Sequence, residues 1–183
     1  MFAAVPARLK APEVADADDW ELLRAVADYQ FGAGASEVLF PRVDALTVQR
    51  SKATGKVRFV LENGKRVATF RAGNGTLALG LELARRLADA TRPPRHRVVV
   101  SSSVAPFVAK GGNVFAKHVV DADAELRPGD DVLLVDEEDA LLGVGRTLLN
   151  PKEMRDFAHG LAVDTRKGAD QTSKNKKGPL DSS

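Results

Sequence analysis

The segment KGGNVFAK, residues 110–117, places two adjacent glycines between two lysines and ahead of a phenylalanine. Lysine neutralises phosphate, and glycine lets a sugar-phosphate chain approach the backbone without a side chain in the way. The spacing predicts a helix that ends at Lys110, a tight loop at Gly111 and Gly112, and a strand with Lys117 facing outward. A second interpretation needs no ligand, because a helix ending at Lys110 requires a glycine at its C-cap.

The elements that would position this segment are short. A strand is predicted at 97–100, followed by serines 101–103 as the N-cap of a short helix. Further on, 131–135 reads as a buried strand, Gly143 and Gly145 indicate a curved or bulged strand, and Asn150 caps a helix that begins with proline. Residues 160–168 read as a last strand. Such a series predicts a small closed barrel with helical decorations.

The first half has a different pattern. Residues 13–30 predict a helix with Asp16, Asp18 and Asp19 available near its start to cap it, and Asn63-Gly64 between alternating apolar residues predicts a β-hairpin with a type I′ turn. A helix through Leu79, Leu83 and Leu87 follows. The doubled proline at 93–94 indicates a domain boundary. We therefore expect an α+β protein, with a helix-and-hairpin domain at 1–93, a barrel at 94–168 and a disordered tail at 169–183.

The charges are segregated along the chain although the net charge is only +2. Residues 42–71 carry eight basic residues and two acidic ones, and 121–139 carry nine acidic residues and one basic one. This pattern predicts a basic face that attracts a polyanion, although both clusters are also consistent with ordinary solvated edges. The basic residues that we take as a secondary patch are Arg50, Lys52, Lys56 and Arg58.

Several classes of function are disfavoured by the composition. The 183 residues include no cysteine, and no apolar run approaches the roughly 20 residues of a membrane span, so we expect a cytoplasmic protein. Phosphate-binding loop and nucleophile-elbow motifs are missing, and His96, His118 and His159 lack the spacing of metal ligands. We therefore expect neither a metal nor a cofactor, and a binding module rather than an enzyme.

The second half, from VFAK and RPGD through GRTLL to GLAV, resembles the PUA domain, a small RNA-binding barrel. Upstream, ADYQFGAGASEVLF, SKATGKVRFV and VATFRAGNG resemble the domain that precedes PUA in archaeal tRNA-guanine transglycosylase and in the related archaeosine synthase. The resemblance extends over roughly residues 25–168. It implies that this chain corresponds to the RNA-docking portion, because the (β/α)₈ catalytic barrel alone needs about 200 residues.

In that family the PUA barrel holds the acceptor end of tRNA through the helix after the first strand, the glycine loop and the last strand. Carried over by position, the resemblance implies contacts from residues of those three segments. They comprise the helix segment 104–110 and, as the individual residues that we take as RNA-binding, Lys110, Gly111, Gly112, Asn113, Phe115, Lys117, Arg166 and Lys167. Two positions depart from the pattern, since relatives often have a basic residue where Gly112 stands and an aromatic one where His118 stands.

The resemblance implies non-catalytic binding of structured RNA, most simply tRNA, through backbone and shape contacts. One alternative is a separately encoded tRNA-binding subunit of an archaeosine-forming or other tRNA-modifying enzyme, with a catalytic protein as partner. Another is an interaction scaffold that has lost RNA binding.

Overall fold

The computed structural model describes residues 9–171 of the chain, and its contacts divide the protein into two compact units, Met1–Leu87 and Ala88–Ser183. The predicted boundary after residue 93 stays a prediction. The predicted disordered tail lies mostly outside the described residues. Its first three residues, 169–171, form a helical turn.

The first unit is an antiparallel sheet accompanied by helices. Its strands follow one another in chain order across the sheet, each hydrogen-bonded to the next. The elements are β1 (Glu13–Val14), α1 (Ala17–Phe31), α2 (Ala35–Leu39), β2 (Leu46–Arg50), β3 (Val57–Glu62), β4 (Lys65–Phe70), β5 (Leu77–Leu79) and α3 (Leu81–Ala90), within which the division between the units falls.

Local sequence explains the start of α1 and the β3–β4 hairpin. The Asp16 side chain accepts a hydrogen bond from the Asp19 amide, and the Asp19 side chain accepts one from the Asp16 amide, which is a reciprocal capping box. Asn63 and Gly64 both have positive φ, of 51° and 75°, as a type I′ turn requires. Both predictions are confirmed.

Two elements of the first unit differ from prediction. Leu79 belongs to β5, and α3 begins only at Leu81, because Leu77–Leu79 pairs with β4. The Gln30 side chain fixes this strand from the other side, since it accepts from the Leu77 amide and donates to the Leu77 carbonyl. Long-range pairing of this kind overrides the apparent helical spacing of the leucines.

The second unit is a nearly closed barrel with one parallel strand pair. The strand order is β7-β11-β10-β9-β6-β8, with β6 and β9 parallel and the other pairs antiparallel. The elements are β6 (Arg97–Val100), α4 (Ala105–Ala109), β7 (Val114–Phe115), β8 (Val119–Ala122), β9 (Asp131–Val135), β10 (Leu141–Thr147), α5 (Pro151–Asp156) and β11 (Leu161–Gly168). The predicted α+β class, with an antiparallel hairpin domain followed by a mixed barrel, is confirmed.

The barrel core is filled by apolar side chains from almost every strand, including the fully buried Val98, Leu134 and Val163, with Met154 of α5 beneath them. Each buried side chain of this size contributes roughly 1.5–3 kcal/mol. Irregular pairing of β10 next to Gly143 and Gly145 gives the strand the predicted bulges.

Two local predictions for the barrel are wrong. The helix α4 has Val104 as its N-cap with no side-chain bond, because the Ser102 amide and hydroxyl both donate to the Glu137 carboxylate instead. The strand predicted after the glycine pair is interrupted. Residues Ala116–His118 form a 3-10 turn, so Lys117 projects from a turn between β7 and β8.

Candidate nucleic-acid interface

The glycine pair ends α4 in a Schellman motif. The Gly112 amide donates to the Phe107 carbonyl at 3.0 Å, and the Gly111 amide donates to the Val108 carbonyl at 2.8 Å, with Gly111 at φ 94°. The C-cap interpretation of this pair is therefore the one that the geometry supports. Both amides are therefore engaged in the cap of α4 and are not free to donate to a phosphate.

Side chains of the protein itself occupy the space beside both glycines. A Cβ at position 112 would overlap the Phe107 ring, and a Cβ at position 111 would overlap the Gln171 side-chain amide. Gln171 also donates to the Lys110 carbonyl and accepts from the Gly168 amide. What approaches the glycine pair is thus Phe107 on one side and Gln171 on the other.

Arg166 is engaged within the barrel. Its Nη2 lies 2.7 Å from Oδ1 of Asp131, whose side chain is only 5% exposed, while the Arg166 side chain is 28% exposed. A buried carboxylate needs such a partner, since leaving it unpaired is costly. Arg166 therefore has a structural partner, whereas its predicted RNA contact stays a prediction.

Asn113 links the bend formed by residues 110–112 to the last strand, β11. Its Oδ1 accepts a hydrogen bond from the Thr165 amide at 2.9 Å. This contact fixes the start of β7 against β11, and β7 pairs with β11 through Leu161 and Val163. Asn113 thereby positions Phe115, the last residue of β7.

A cavity of about 450 Å³ opens between α4, the β7 segment and the loop that follows α5. Two phenylalanines on its walls are unusually exposed for their type, Phe107 at 59% and Phe115 at 46%. Lys117 also lines the cavity and, within residues 9–171, makes no hydrogen bond or ion pair through its side chain. The lining residues are Val104, Phe107, Val108, Asn113, Val114, Phe115, Lys117, His118, Ala158, His159 and Gly160.

The cavity brings together three of the eight predicted contact residues, Asn113, Phe115 and Lys117. The bend residues 110–112 and the pair Arg166 and Lys167 are outside its lining. Lys110 and Lys167 are exposed cations close to the bend. The cavity therefore lies next to the phenylalanines, while the glycine pair is outside its lining.

The resemblance included Phe107 only as part of the helix segment 104–110, and sequence reasoning did not single out Phe107, His118 or His159 as binding residues. One signal could have identified Phe107: in a Schellman motif the third residue from the helix end contacts the second residue after the cap, and these are Phe107 and Gly112.

The chemistry of the cavity suits a nucleotide. Exposed aromatic rings stack on bases regardless of sequence, and a free ammonium attracts phosphate. Histidine rings donate and accept hydrogen bonds and also stack. Among its described lining residues there is no carboxylate that would repel an RNA backbone.

The four residues of the secondary basic patch differ in their surroundings, and Arg50 is already paired. Arg50 Nη2 lies 2.7 Å from both carboxylate oxygens of Asp19 and its Nε donates to Glu13. Hydrogen bonding to Glu13, and then to Asp19, raises the pKa of the Arg50 guanidinium, against the effect of burial. Arg50, Lys56 and Arg58 line one cavity of the first unit, while Lys52 lies outside that lining.

Two family models match the chain, one ending at its doubled proline and the other beginning just after it. Residues 21–94 match the patch-forming domain C2 of tRNA-guanine transglycosylase, and residues 96–169 match the PUA domain. No helix among the described residues is long and apolar enough to cross a bilayer.

Curated relatives match the same region. The tRNA-guanine(15) transglycosylase of Methanothermobacter thermautotrophicus is 46% identical over 151 residues, which is 82% of this chain and 23% of the relative. That of Thermococcus kodakarensis is 47% identical over 163 residues, 89% of this chain and 27% of the relative. The chain thus spans about a quarter of the length of the curated relatives it matches.

Solved structures share the fold. A hypothetical protein from Pyrococcus horikoshii aligns with a TM-score of 0.67 at 24% identity, covering 88% of this chain and 95% of that one. A PUA domain from Aeropyrum pernix aligns with a TM-score of 0.60 at 17% identity, covering 88% and 87%.

The second unit is thus a PUA barrel, and the chain is a PUA-domain protein. Its two matched domains place it with the C-terminal region of the archaeal tRNA-guanine(15) transglycosylases, which confirms the resemblance inferred from the sequence.

Proposed function

We propose that the barrel binds structured RNA, most simply the acceptor end of tRNA, without catalysing a reaction itself. The observation that carries this proposal is the open cavity lined by the exposed rings of Phe107 and Phe115 and by Lys117, whose side chain has no ion-pair partner among the described residues. The names of the curated relatives support tRNA as the ligand. We propose the cytoplasm as the location in which the protein binds RNA.

Each part of the cavity has a role in this proposal. A nucleotide at the end of a strand stacks on Phe115, and Lys117 neutralises its phosphate. Lys110 and Lys167, both exposed near the bend, neutralise the adjoining phosphates. The glycine pair supports the Phe107 ring from behind instead of donating amides. Arg166 adds little, because Asp131 already neutralises it.

Binding of fluorescently labelled tRNA to the full chain, measured by anisotropy over a series of salt concentrations, tests the proposal. Phe115→Ala should weaken binding about tenfold, as expected for the loss of one stacking platform of ~1–3 kcal/mol. Lys117→Gln should reduce the slope of log K against log salt by about 1.

Matched controls lie on the same barrel. Phe157 is a 45% exposed phenylalanine and Lys152 an exposed lysine, and neither lines the cavity. Phe157→Ala and Lys152→Gln should leave binding within about twofold of the unchanged protein. Equal losses in the cavity variants and the controls would contradict the assignment of the site, and wild-type protein that ignores tRNA would contradict the function.

A second candidate is a tRNA-delivering subunit of a tRNA-modifying enzyme. It is favoured by the relatives, in which the matched region makes up only 23–27% of a longer chain. Under this proposal the chain should co-purify with a catalytic protein from its native host, and tRNA should strengthen the association. A chain that binds tRNA but recovers no catalytic protein would support the first candidate alone.

A further inference from the structure

The first unit contains a second cavity, of about 840 Å³, at the end of its sheet where β2 turns into β3 and β4 turns into β5. Two glycine-bearing turns, 54–56 and 72–75, form its rim, and Leu22, Val57 and Phe70 form an apolar wall. Four cationic residues complete the lining, with no Asp or Glu among the described residues that line it. They are Arg50, Lys56, Arg58 and Arg71.

These four cations are not equally available. Arg50 is held by Glu13 and Asp19, and Arg71 donates to the Thr76 hydroxyl. Lys56 is exposed and, in the described part of the chain, its side chain makes no ion pair. The charge that is free to meet a ligand therefore comes from Lys56 and Arg58.

Arg58 carries the strongest sign of a missing ligand. Its Nη1 is buried and has no hydrogen-bond partner among residues 9–171. A guanidinium nitrogen withdrawn from water without an acceptor is unfavourable, and native proteins satisfy nearly all such groups. An anion bound in the cavity that Arg58 lines would provide the acceptor.

The glycines at the rim leave room for a ligand. A Cβ built on Gly55, Gly73 or Gly75 would meet no heavy atom within 4 Å. Gly55 and Gly75 have φ of 70° and 69°, which turns the backbone sharply, while Gly73 has no such requirement. The turns therefore leave the rim open to an incoming group.

We propose that this cavity binds the phosphate group of a nucleotide, with Arg58 and Lys56 as the charged donors and the apolar wall facing the ribose or base. A guanidinium fork matches phosphate geometry, and an apolar wall next to cations suits an amphipathic ligand of nucleotide size. The proposal deepens the proposed function, because an RNA strand is one source of such a phosphate. Free phosphate or a mononucleotide is the other.

Thermal unfolding of the full chain tests the shared chemistry without RNA. Inorganic phosphate or adenosine 5′-monophosphate, compared with chloride at matched ionic strength, should raise the midpoint, since a ligand of the folded state stabilises it. Arg58→Gln and Lys56→Gln should each raise the apparent dissociation constant about tenfold. Lys52→Gln, an exposed neighbour outside the cavity, is the matched control and should change it less than twofold.

Loss of folding does not explain a weaker ligand effect, because Lys56 is exposed and the Nη1 nitrogen that Arg58→Gln removes has no hydrogen-bond partner among residues 9–171. Both variants should unfold, in chloride, at or above the wild-type temperature. Two outcomes overturn the proposal: a wild-type midpoint that neither phosphate nor the mononucleotide raises, or an equal rise in the wild-type protein and both cavity variants.

The salt dependence of tRNA binding separates the two sources of phosphate. If RNA is the ligand, Arg58→Gln lowers the slope of log K against log salt by about 1 and Lys52→Gln does not. If the ligand is a free nucleotide, Arg58→Gln leaves this slope unchanged, while the rise in unfolding midpoint caused by the nucleotide is lost in that variant. The proposed function is tested separately, by measuring tRNA binding of the barrel variant Phe115→Ala. Failure of one proposal is therefore distinguishable from failure of the other.

Discussion

Gly111-Gly112-Asn113 in the barrel and Gly73-Asn74-Gly75 in the first unit have the same composition and opposite surroundings. The first set is packed against Phe107 and Gln171, and its amides are used by the cap of α4. In the second set, Asn74 accepts from the Thr76 amide and hydroxyl, and the space beside both glycines is open. A glycine pair therefore marks either tight internal packing or an open rim, and composition alone does not distinguish them.

The largest expected effect comes from the residue beneath the packed bend. A Cβ on Gly168 would overlap the backbone of Ala109 and Gly111, which no side-chain rotation relieves. Gly168→Ala should therefore lower the free energy of unfolding of the barrel by about 3 kcal/mol. Gly73→Ala is the matched control in the open turn, and urea unfolding should place it within about 0.5 kcal/mol of wild type. Similar losses at both positions would remove the contrast between the two loops.

The second-largest effect is expected at Arg166, the cation that forms an ion pair with Asp131 within the barrel. Arg166→Gln deprives the Asp131 carboxylate of an ion-pair partner and should lower the free energy of unfolding by about 2 kcal/mol, less than for a fully buried pair because Arg166 is 28% exposed. Lys167→Gln, on the next residue, should have an effect below about 0.5 kcal/mol. An Arg166→Gln protein of unchanged stability would show that the fold does not depend on this ion pair, and Arg166 would then be available as an RNA contact.

A smaller effect is expected on the outer side of the bend. Gly112→Ala pushes the Phe107 ring away, but the ring is 59% exposed and can swing into solvent, so about 1 kcal/mol should be lost. In a Phe107→Ala background the same substitution should cost almost nothing, and a double-mutant cycle measures that coupling. Additive effects of the two substitutions would show that the ring does not rest on Gly112.

The smallest effect is a pH dependence at the other end of α4. The Ser102 hydroxyl and amide lower the pKa of Glu137 below its usual 4.5. Because the folded-state pKa is the lower one, this contact stabilises the fold above about pH 4.5 and is lost as the pH falls through the folded value. The difference in melting temperature between wild type and Glu137→Gln should shrink below that pH. A constant difference down to full protonation would contradict this contact.

Much of the fold could be predicted from the sequence because local rules act strongly there. The hairpin at Asn63-Gly64, the caps at Asp16 and Asn150, and the bulges at Gly143 and Gly145 each depend on residues close together in the chain. The strand β5 was missed because its identity depends on pairing with β4 and on Gln30, 47 residues away.

The candidate site was predicted only in part, for the same reason. Phe115 and Lys117 lie on the segment that the motif identified, so they could be found. Partners distant in the chain decide the rest. Asp131 neutralises Arg166 from 35 residues away, and Gln171 occupies the space beside Gly111 from 60 residues away. No pattern within a single segment contains that information.

The Phe107 ring resting on Gly112 also constrains how this family can change. A larger residue at position 112 displaces an aromatic at position 107, so the two positions are expected to vary together. Chains with a bulky or basic residue at 112 should carry a smaller side chain at 107. In such chains a long side chain at 112 would take the place of the aromatic ring that lines the cavity here. Comparing positions 107 and 112 across related sequences from many species would show which of them have an aromatic residue at 107 and which have a basic residue at 112.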